Sequence, residues 1–437
     1  MREDWIECKF GDIITFKNGY AFKSTGYLKS GVPVIRIGDI KENEVLIENA
    51  ICVDENIDLK EYEIVKDDIL IAMSGATTGK FGRYNLKEKA YLNQRVGNIK
   101  PLSNKYIYKS FLYYLLSQLK REIEKSAYGG AQPNISSKKI EELTVAFAPV
   151  PEQRAIVKKL ESLFSSLDAG VTDLKKAQQQ LKMYRQAVLK KAFEGNWTEV
   201  KLDDVAKWGS GGTPSRKNPS FFNGTIYWIK TGELNSKFIY KSEEKISEEA
   251  IKKSSAKVFP KGSVAIAMYG ATIGKTAIFG SEMSTNQACA VAQCYDIIFN
   301  EFLYYFLLSQ KQQFIKLGIG GAQPNISQGT IKNYPIKLPS ISEQNKIVKQ
   351  IESRLSVCDS IEQNIAAGLE KAEALRQSIL KKAFEGNLLT AQELAECKQA
   401  DDYEPASVLL ERIKAEQNTT ITKPGKRKPS HSVAKHE

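Results

Sequence analysis

Apolar positions along the chain fall into two recurring patterns. Short aliphatic runs at 32–37, 69–73 and 264–268 lie between Gly-rich turns and predict strands. An apolar cluster around Phe-Leu-Tyr-Tyr, at 111–114 and again at 302–305, predicts one helix in each mixed segment. Elsewhere the period is seven. Leu160, Leu167, Leu174, Leu181 and Val188 form one series, with Leu163, Ala177 and Tyr184 in most intermediate positions. Ile351, Cys358, Ile365, Ala372 and Ile379 form a second. Sustained heptads predict a coiled-coil seam rather than a helix lying on a globule. Pro149 and Pro151 precede the first long helix, and Gly195 follows Phe193 and Glu194 as its stop. In the tail, Val408, Leu409, Leu410 and Ile413 predict one short amphipathic helix at 406–415. A polar end with Lys426-Arg427-Lys428 follows, and the last 20 residues read as disordered.

These patterns occur twice because the chain is an internal repeat. FLYYLLSQ at 111–118 returns as FLYYFLLSQ at 302–310, and GATTGK at 75–80 as GATIGK at 270–275. GGAQPNIS at 129–136 and LKKAFEGN at 189–196 return unchanged at 320–327 and 380–387. A unit of roughly 190 residues is therefore duplicated. The boundaries that follow are a globule at 1–149, a spacer helix at 150–196, a second globule at 197–340, a second spacer helix at 341–386 and a tail at 387–437. The fold class is α+β, with two mixed globules and two long helices packed as an antiparallel coiled coil. Each helix should be about 65 Å long at 1.5 Å per residue. A homodimeric coiled coil is the alternative use of the heptads, but two matched copies in one chain favour the intramolecular pair.

Composition narrows the chemistry. Six cysteines are scattered without a Cys-x-x-Cys pair, and the two histidines, His431 and His436, lie in the tail. A Cys/His zinc site and a disulfide framework are thereby disfavoured, and the commonest general base is missing from the body of the chain. No apolar run has the length of a membrane span. MREDWIECKF lacks the apolar stretch of a signal peptide, so a cytoplasmic location is expected. The net charge of +12 suits a nucleic-acid partner without requiring one. Its excess lies in the globules and the first long helix rather than in the tail.

GATIGKT resembles a nucleotide-binding loop, but Tyr269 stands where Walker A needs glycine, and Phe81 follows the first copy where a hydroxyl is needed. The turn either offers backbone N–H groups, Thr77, Lys80, Thr272 and Lys275 to a DNA phosphate or is a plain Gly-permitted turn. Asn218-Pro219-Ser220-Phe221 resembles an adenine-methyltransferase motif with serine in place of its second proline, and reads as a loop. Gln132 and Asn134, with Gln323 and Asn325, have side chains suited to adenine contacts. Their octapeptide is identical in both copies, whereas readers of different half-sites should differ, so a structural or phosphate-positioning role is favoured. The diverged segments 17–36 and 209–230 are better candidates for base reading. They carry Lys23, Ser24 and Arg36 in the first copy against Ser215, Arg216 and Lys230 in the second. Asn93, Gln94 and Arg95, and Asn286 and Gln287, follow the Gly turn in each copy and could reach base edges or phosphate.

GGTPSRKNPSFFNGTIYWIKTGEL at 211–234, the two QPNIS turns, LPSISEQNKIV at 338–348, both LKKAFEG ends and EPASVLLERI at 404–413 together resemble the specificity subunits of type I restriction–modification systems. The resemblance covers nearly the whole chain. It implies a non-catalytic protein whose two globules each read one half of a bipartite, asymmetric site in double-stranded DNA. The helical pair would act as spacer and as docking surface for two methyltransferase subunits, joined by motor–nuclease subunits. S-adenosylmethionine, ATP and Mg2+ would be used by those partners, and no cofactor by this chain. Two other classes stay open: a self-sufficient adenine DNA methyltransferase, and a coiled-coil dimerisation protein with no DNA role.

Overall fold

The computed structural model describes residues 2–55, 59–127, 133–318 and 324–421. The chain divides into two units, one of residues 1–171 with 370–437 and one of residues 172–369.

In the first unit, a five-stranded sheet runs in the order Ile14–Asn18, Val96–Pro101, Ile69–Ala72, Phe81–Arg83, Asn43–Glu44. A four-stranded sheet runs Ile51–Val53, Val32–Ile35, Ala90–Leu92, Glu63–Ile64, and Ile6–Lys9 pairs antiparallel with Thr144–Phe147. The second unit repeats this topology. Its five strands are Ala206–Ser210, Cys289–Cys294, Val264–Ala267, Thr276–Phe279 and Phe238–Ile239. Its four are Glu244–Ile246, Ile226–Ile229, Met283–Thr285 and Val258–Phe259, and Thr198–Lys201 pairs with Pro335–Leu338.

The unbroken apolar runs are explained by layering. Side chains alternate faces along a strand, so a strand covered on both sides needs apolar residues throughout. Ile69 and Ile71 pack into a core with the helix Lys109–Ala127, while Leu70 and Ala72 face a second core with Ile35, Ala90 and Leu92. Val264 and Ile266 against Ala265 and Ala267 divide in the same way in the second unit. The two Phe-Leu-Tyr-Tyr helices differ. The second copy has one residue more, which turns all later side chains by about 100°, and its helix Asn300–Ser309 stops at Gln310 before Lys311–Leu317 begins.

The long helices are Val150–Ala192 and Ile341–Phe384. Pro151 therefore lies in the first turn of its helix rather than before it, where its missing N–H has no intrahelical partner to lose. Pairing is antiparallel within each unit. In the first, Arg376 bonds to Asp168 and stacks 4.4 Å from the Phe164 ring. In the second, Arg185 bonds to Asp359 (2.6 Å) and Glu362 (2.9 Å). Of the intermediate positions that the heptads suggest, Ala177 lies in the seam but Leu163 and Tyr184 do not. Leu163 and Tyr184 are exposed, and the companions lie four residues after the heptad leucines, at Phe164, Val171, Gln178 and Arg185. Heptad spacings alternate three and four, and the leucine series occupies the position followed by four. Leu174, Ala177, Leu181, Cys358, Ile365 and Leu369 form a seam cluster of their own. Leu160 and Ile379 join the first unit's core and Ile351 the second's, so the helix ends do lie on the globules. Leu167 is half-buried and Val188 buried.

Both helix starts carry a feature that the periodicity does not show. Gln153, fully buried, donates to the carbonyls of Tyr106 (3.1 Å) and Ala148 (2.8 Å) and accepts the Tyr108 N–H (2.8 Å). Gln344, equally buried, donates to Ile297 (3.0 Å) and Pro339 (2.9 Å) and accepts from Phe299 (2.8 Å). One amide thus ties each long helix to the loop before its globule's apolar helix. The recurring Glu-Gln dipeptide is the only local signal of it.

The tail contains two helices rather than one, Ala391–Lys398 and Ala406–Ile421. The first escapes a reading by periodicity because its face is weakly apolar, although Thr390 caps it and Glu393 returns the bond. Residues 422–437, with most of the stretch read as disordered, lie outside the described residues. Leu389, Cys397, Ala406, Leu409, Leu410 and Ile413 are buried in the first unit's core. Polar contacts surround them: Tyr403 to Asp4 (2.7 Å), Lys398 to Asp4 (2.9 Å), Arg154 to Asp402 (2.8 Å) and Lys159 to Glu393 (2.6 Å). The Tyr403 and Lys398 bonds hold Asp4 below its ordinary range, Lys159 lowers Glu393 to about 2, and Arg154 lowers Asp402. Depressed carboxylates contribute stability above their unfolded pKa and lose it as pH falls through the folded value. The tail should therefore loosen between about pH 4.5 and 2, visible as faster pepsin cleavage within 387–421. Cleavage at one rate across that window would count against these pairs.

Candidate nucleic-acid interface

In the first unit several turns converge at one end of the sheets. The Tyr20 N–H donates to the Leu92 carbonyl (2.8 Å), the Gln94 N–H to Tyr20 (2.9 Å), the Asn93 N–H to Ile35 (3.1 Å) and the Met73 N–H to Arg95 (2.9 Å). The Gly turn joins them, since the Gly75 N–H donates to the Pro133 carbonyl (3.0 Å), Ser74 bridges Asn134 and the Ile135 N–H returns to Met73 (2.9 Å). The second unit builds the same knot. Gly212 donates to Thr285 (2.9 Å), Asn286 to Ile229 (3.0 Å), Met268 to Ala288 (2.8 Å), Gly270 to Pro324 (2.9 Å) and Ile326 to Met268 (2.9 Å), while Tyr269 bridges Asn325.

The repeated motifs owe their identity to this frame. Gly75 and Gly79, like Gly270 and Gly274, have positive φ, which glycine alone adopts without strain. The turn links two antiparallel strands, whereas a phosphate-binding P-loop opens a helix. Within the octapeptide, the proline carbonyl and asparagine bind the Gly turn and the isoleucine is buried. Ser136 and Ser327 cap the next short helices by accepting from Lys139 (3.3 Å) and Thr330 (3.0 Å). Gln132 and Gln323 lie outside the described residues.

Several candidate readers are occupied by the fold. Asn93 is buried and accepts the Arg95 N–H (3.4 Å), and Asn286 accepts the Ala288 N–H (3.2 Å), so both close turns rather than project from them. The Thr77 and Thr272 hydroxyls donate to the carbonyls of Ile37 (3.3 Å) and Tyr269 (2.7 Å). Arg36 is half-buried beside Asp39 and Asn49. Lys275 donates to Asn235 (2.6 Å), and Gln287 is bonded to Thr213. Lys23, Ser24, Lys80, Gln94, Arg95, Asn134, Ser215, Arg216, Gln287 and Asn325 are exposed.

Sequence reasoning missed the setting of Arg216. Its guanidinium lies 4.1 Å from the Phe222 ring centre and grips both oxygens of Glu244 (2.6 and 3.1 Å). Lys230 shares Glu244 (3.0 Å) and reaches Glu243 (3.1 Å). Arg216 holds the Glu244 carboxyl below its ordinary range, and Glu244 with Glu243 raises Lys230. Asn218-Pro219-Ser220-Phe221 is a capped turn: Asn218 accepts the Ser220 N–H (3.3 Å), and Phe221 is buried. Among the described residues no group of His, Cys, Asp and Glu could hold a metal, and no helix is long and apolar enough to cross a membrane.

Two stretches of the chain, 2–180 and 194–371, match the family model of the type I restriction modification DNA specificity domain. The chain belongs to that family. It is 28% identical over 463 residues to the type I restriction enzyme EcoBI specificity subunit of Escherichia coli, covering 98% of this chain and 95% of that one. With the EcoKI specificity subunit of E. coli strain K12 the identity is 25% over 470 residues, covering 98% and 99%. A structure from work on complex assembly and conformational transition of the type I R-M system matches with TM-score 0.70 at 18% identity, over 89% of this chain and 99% of that one. The HsdS subunit from Thermoanaerobacter tengcongensis matches with TM-score 0.53 at 18% identity, over 88% and 98%. Each specificity-domain match contains one complete turn cluster of the kind described above.

Proposed function

We propose that this chain is the DNA-recognition subunit of a type I restriction–modification complex and carries no catalytic centre. Each unit reads one half of a bipartite, asymmetric site in double-stranded DNA. The long helices act as spacer and as docking surface for two methyltransferase subunits, with motor–nuclease subunits joining in the cytoplasm. S-adenosylmethionine, ATP and Mg2+ belong to those partners.

One observation carries this reading. The same backbone knot occurs in both units, while much of what projects from it differs: Lys23, Ser24 and Arg95 in the first against Ser215 and Arg216 in the second, with Gln94 and Lys80 recurring as Gln287 and Lys275. A shared frame with different side chains suits two different half-sites, because backbone geometry sets the approach and side chains choose the bases.

The test is single-molecule mapping of methylated adenines in DNA from cells expressing this chain with its candidate methyltransferase partner. A bipartite asymmetric motif that needs both proteins is expected. Methylation by this chain alone would make it an enzyme, and no methylation in any combination would remove the support for recognition.

A further inference from the structure

Several cations of the two turn clusters are held differently, although Arg36 of the first pairs with Asp39 (3.6 Å) and Lys275 of the second is bonded to Asn235 (2.6 Å) rather than to a carboxylate. In the first unit Lys23, Lys80 and Arg95 are exposed, and none of them forms an ion pair among the described residues. In the second unit Arg216 spends both terminal nitrogens on Glu244, and Lys230 lies between Glu244 and Glu243. Glu233 locks the pair of segments by accepting the Lys230 N–H (2.9 Å) and the Glu243 N–H (2.9 Å). Two carboxylates therefore hold two cations, and a third braces the backbone behind them. Glu244 begins the edge strand beside Ile226–Ile229, opposite Trp228 in register, so the backbone fixes its place under Arg216. The topologically equivalent strand of the first unit, Ile51–Val53, has no carboxylate.

We propose that Glu244, seconded by Glu243, is a specificity-determining residue: a built-in counter-ion that withholds Arg216 and Lys230 from the phosphates of arbitrary DNA. The inference rests on the DNA-recognition reading above. A phosphate approaching Arg216 or Lys230 meets a cation already neutralised by a carboxylate, and winning it costs an existing short ion pair. Exchanging one anionic partner for another releases no new attraction. Only a half-site that adds base-edge hydrogen bonds to the displaced guanidinium tips the exchange, and Arg offers two parallel donors to guanine. Sequence-independent grip then comes chiefly from Lys23, Lys80 and Arg95, while the second unit acts as a filter.

The test is binding of the full chain to a fluorescent duplex lacking either half-site, across a sodium chloride series. Each phosphate contact contributes about 0.9 to the slope of log affinity against log salt. R216Q/K230Q is expected to leave the slope nearly unchanged, whereas K23Q/K80Q/R95Q lowers it by up to about 2.7. E244Q, with the same shape and no charge, is expected to bind more tightly and steepen the slope by about 0.9 to 1.8. E243Q should move it less, in the same direction. A fall of about 1.8 for R216Q/K230Q would overturn the proposal, as would an inert E244Q in a chain whose wild-type binding is salt-sensitive. Wild-type binding without salt dependence would instead remove the DNA-recognition reading itself. The R216Q/K230Q arm decides the matter even if E244Q fails to fold.

Discussion

Exchanging residues 197–340 for the corresponding segment of another member of this family is expected to replace one half of the methylated motif completely and leave the other half unchanged. The cut points suit the fold. Thr198–Lys201 pairs with Pro335–Leu338, so both strands of the closing sheet travel with the segment and no ladder is broken. The Gln344 clamp reaches that segment only through the backbone of Ile297, Phe299 and Pro339, which any donor supplies. Side-chain fit matters where the segment meets the retained helices: Phe193 stacks on Phe302 (5.1 Å) and Phe306 (5.4 Å), Leu189, Val348 and Ile351 share the second unit's core, and Glu352 accepts from Lys237 and Tyr305. A donor with large apolar residues there should fold, because losing a buried aromatic costs about 3–5 kcal/mol. Methylation mapping with the partner present reads the result. If both halves of the motif change while the complex still assembles, the two units do not read independently.

The second large effect is structural. Gln344→Leu removes three hydrogen bonds from a fully buried position and leaves the Phe299 N–H and the Ile297 and Pro339 carbonyls without partners. At about 1–3 kcal/mol for each stranded group, partly relieved by relaxation, the cost is on the order of 3–5 kcal/mol. Gln153→Leu should cost the first unit a similar amount through Tyr106, Tyr108 and Ala148. Gln344→Glu should fare no better, since it keeps the acceptor, loses both donors and buries a charge. A chain of two units need not melt in one step, so hydrogen exchange is the appropriate probe. The Phe299 amide should lose protection in Gln344→Leu while the Tyr108 amide keeps it, and the reverse in Gln153→Leu. Equal loss at both sites would mean the clamps are not local devices, and no loss at either would mean they contribute little.

Much of the architecture is legible in the amino-acid order because it is local. A seven-residue period marks a long helix wherever it lies, and an octapeptide repeated about 190 residues later marks a duplication. The aliphatic runs at 69–73 and 264–268 announce buried strands, and the Gly turns announce themselves by a composition that positive φ requires. What distant parts of the chain decide is not legible. Whether Leu163 or Phe164 faces the seam depends on the partner helix, and whether Gln153 is a surface amide or a buried clamp depends on carbonyls 47 residues before it and 5 before it. Asn93 and Arg95 look alike as candidate readers, yet one closes a turn and the other projects from it. Arg216 looks like a free cation until a strand 28 residues later puts Glu244 beneath it. Two similar units, two long helices and an excess of positive charge are all written in the order of residues. Which of those charges are available is settled by the fold, because an ion pair between distant residues depends on where the backbone brings them together, and no local pattern records that.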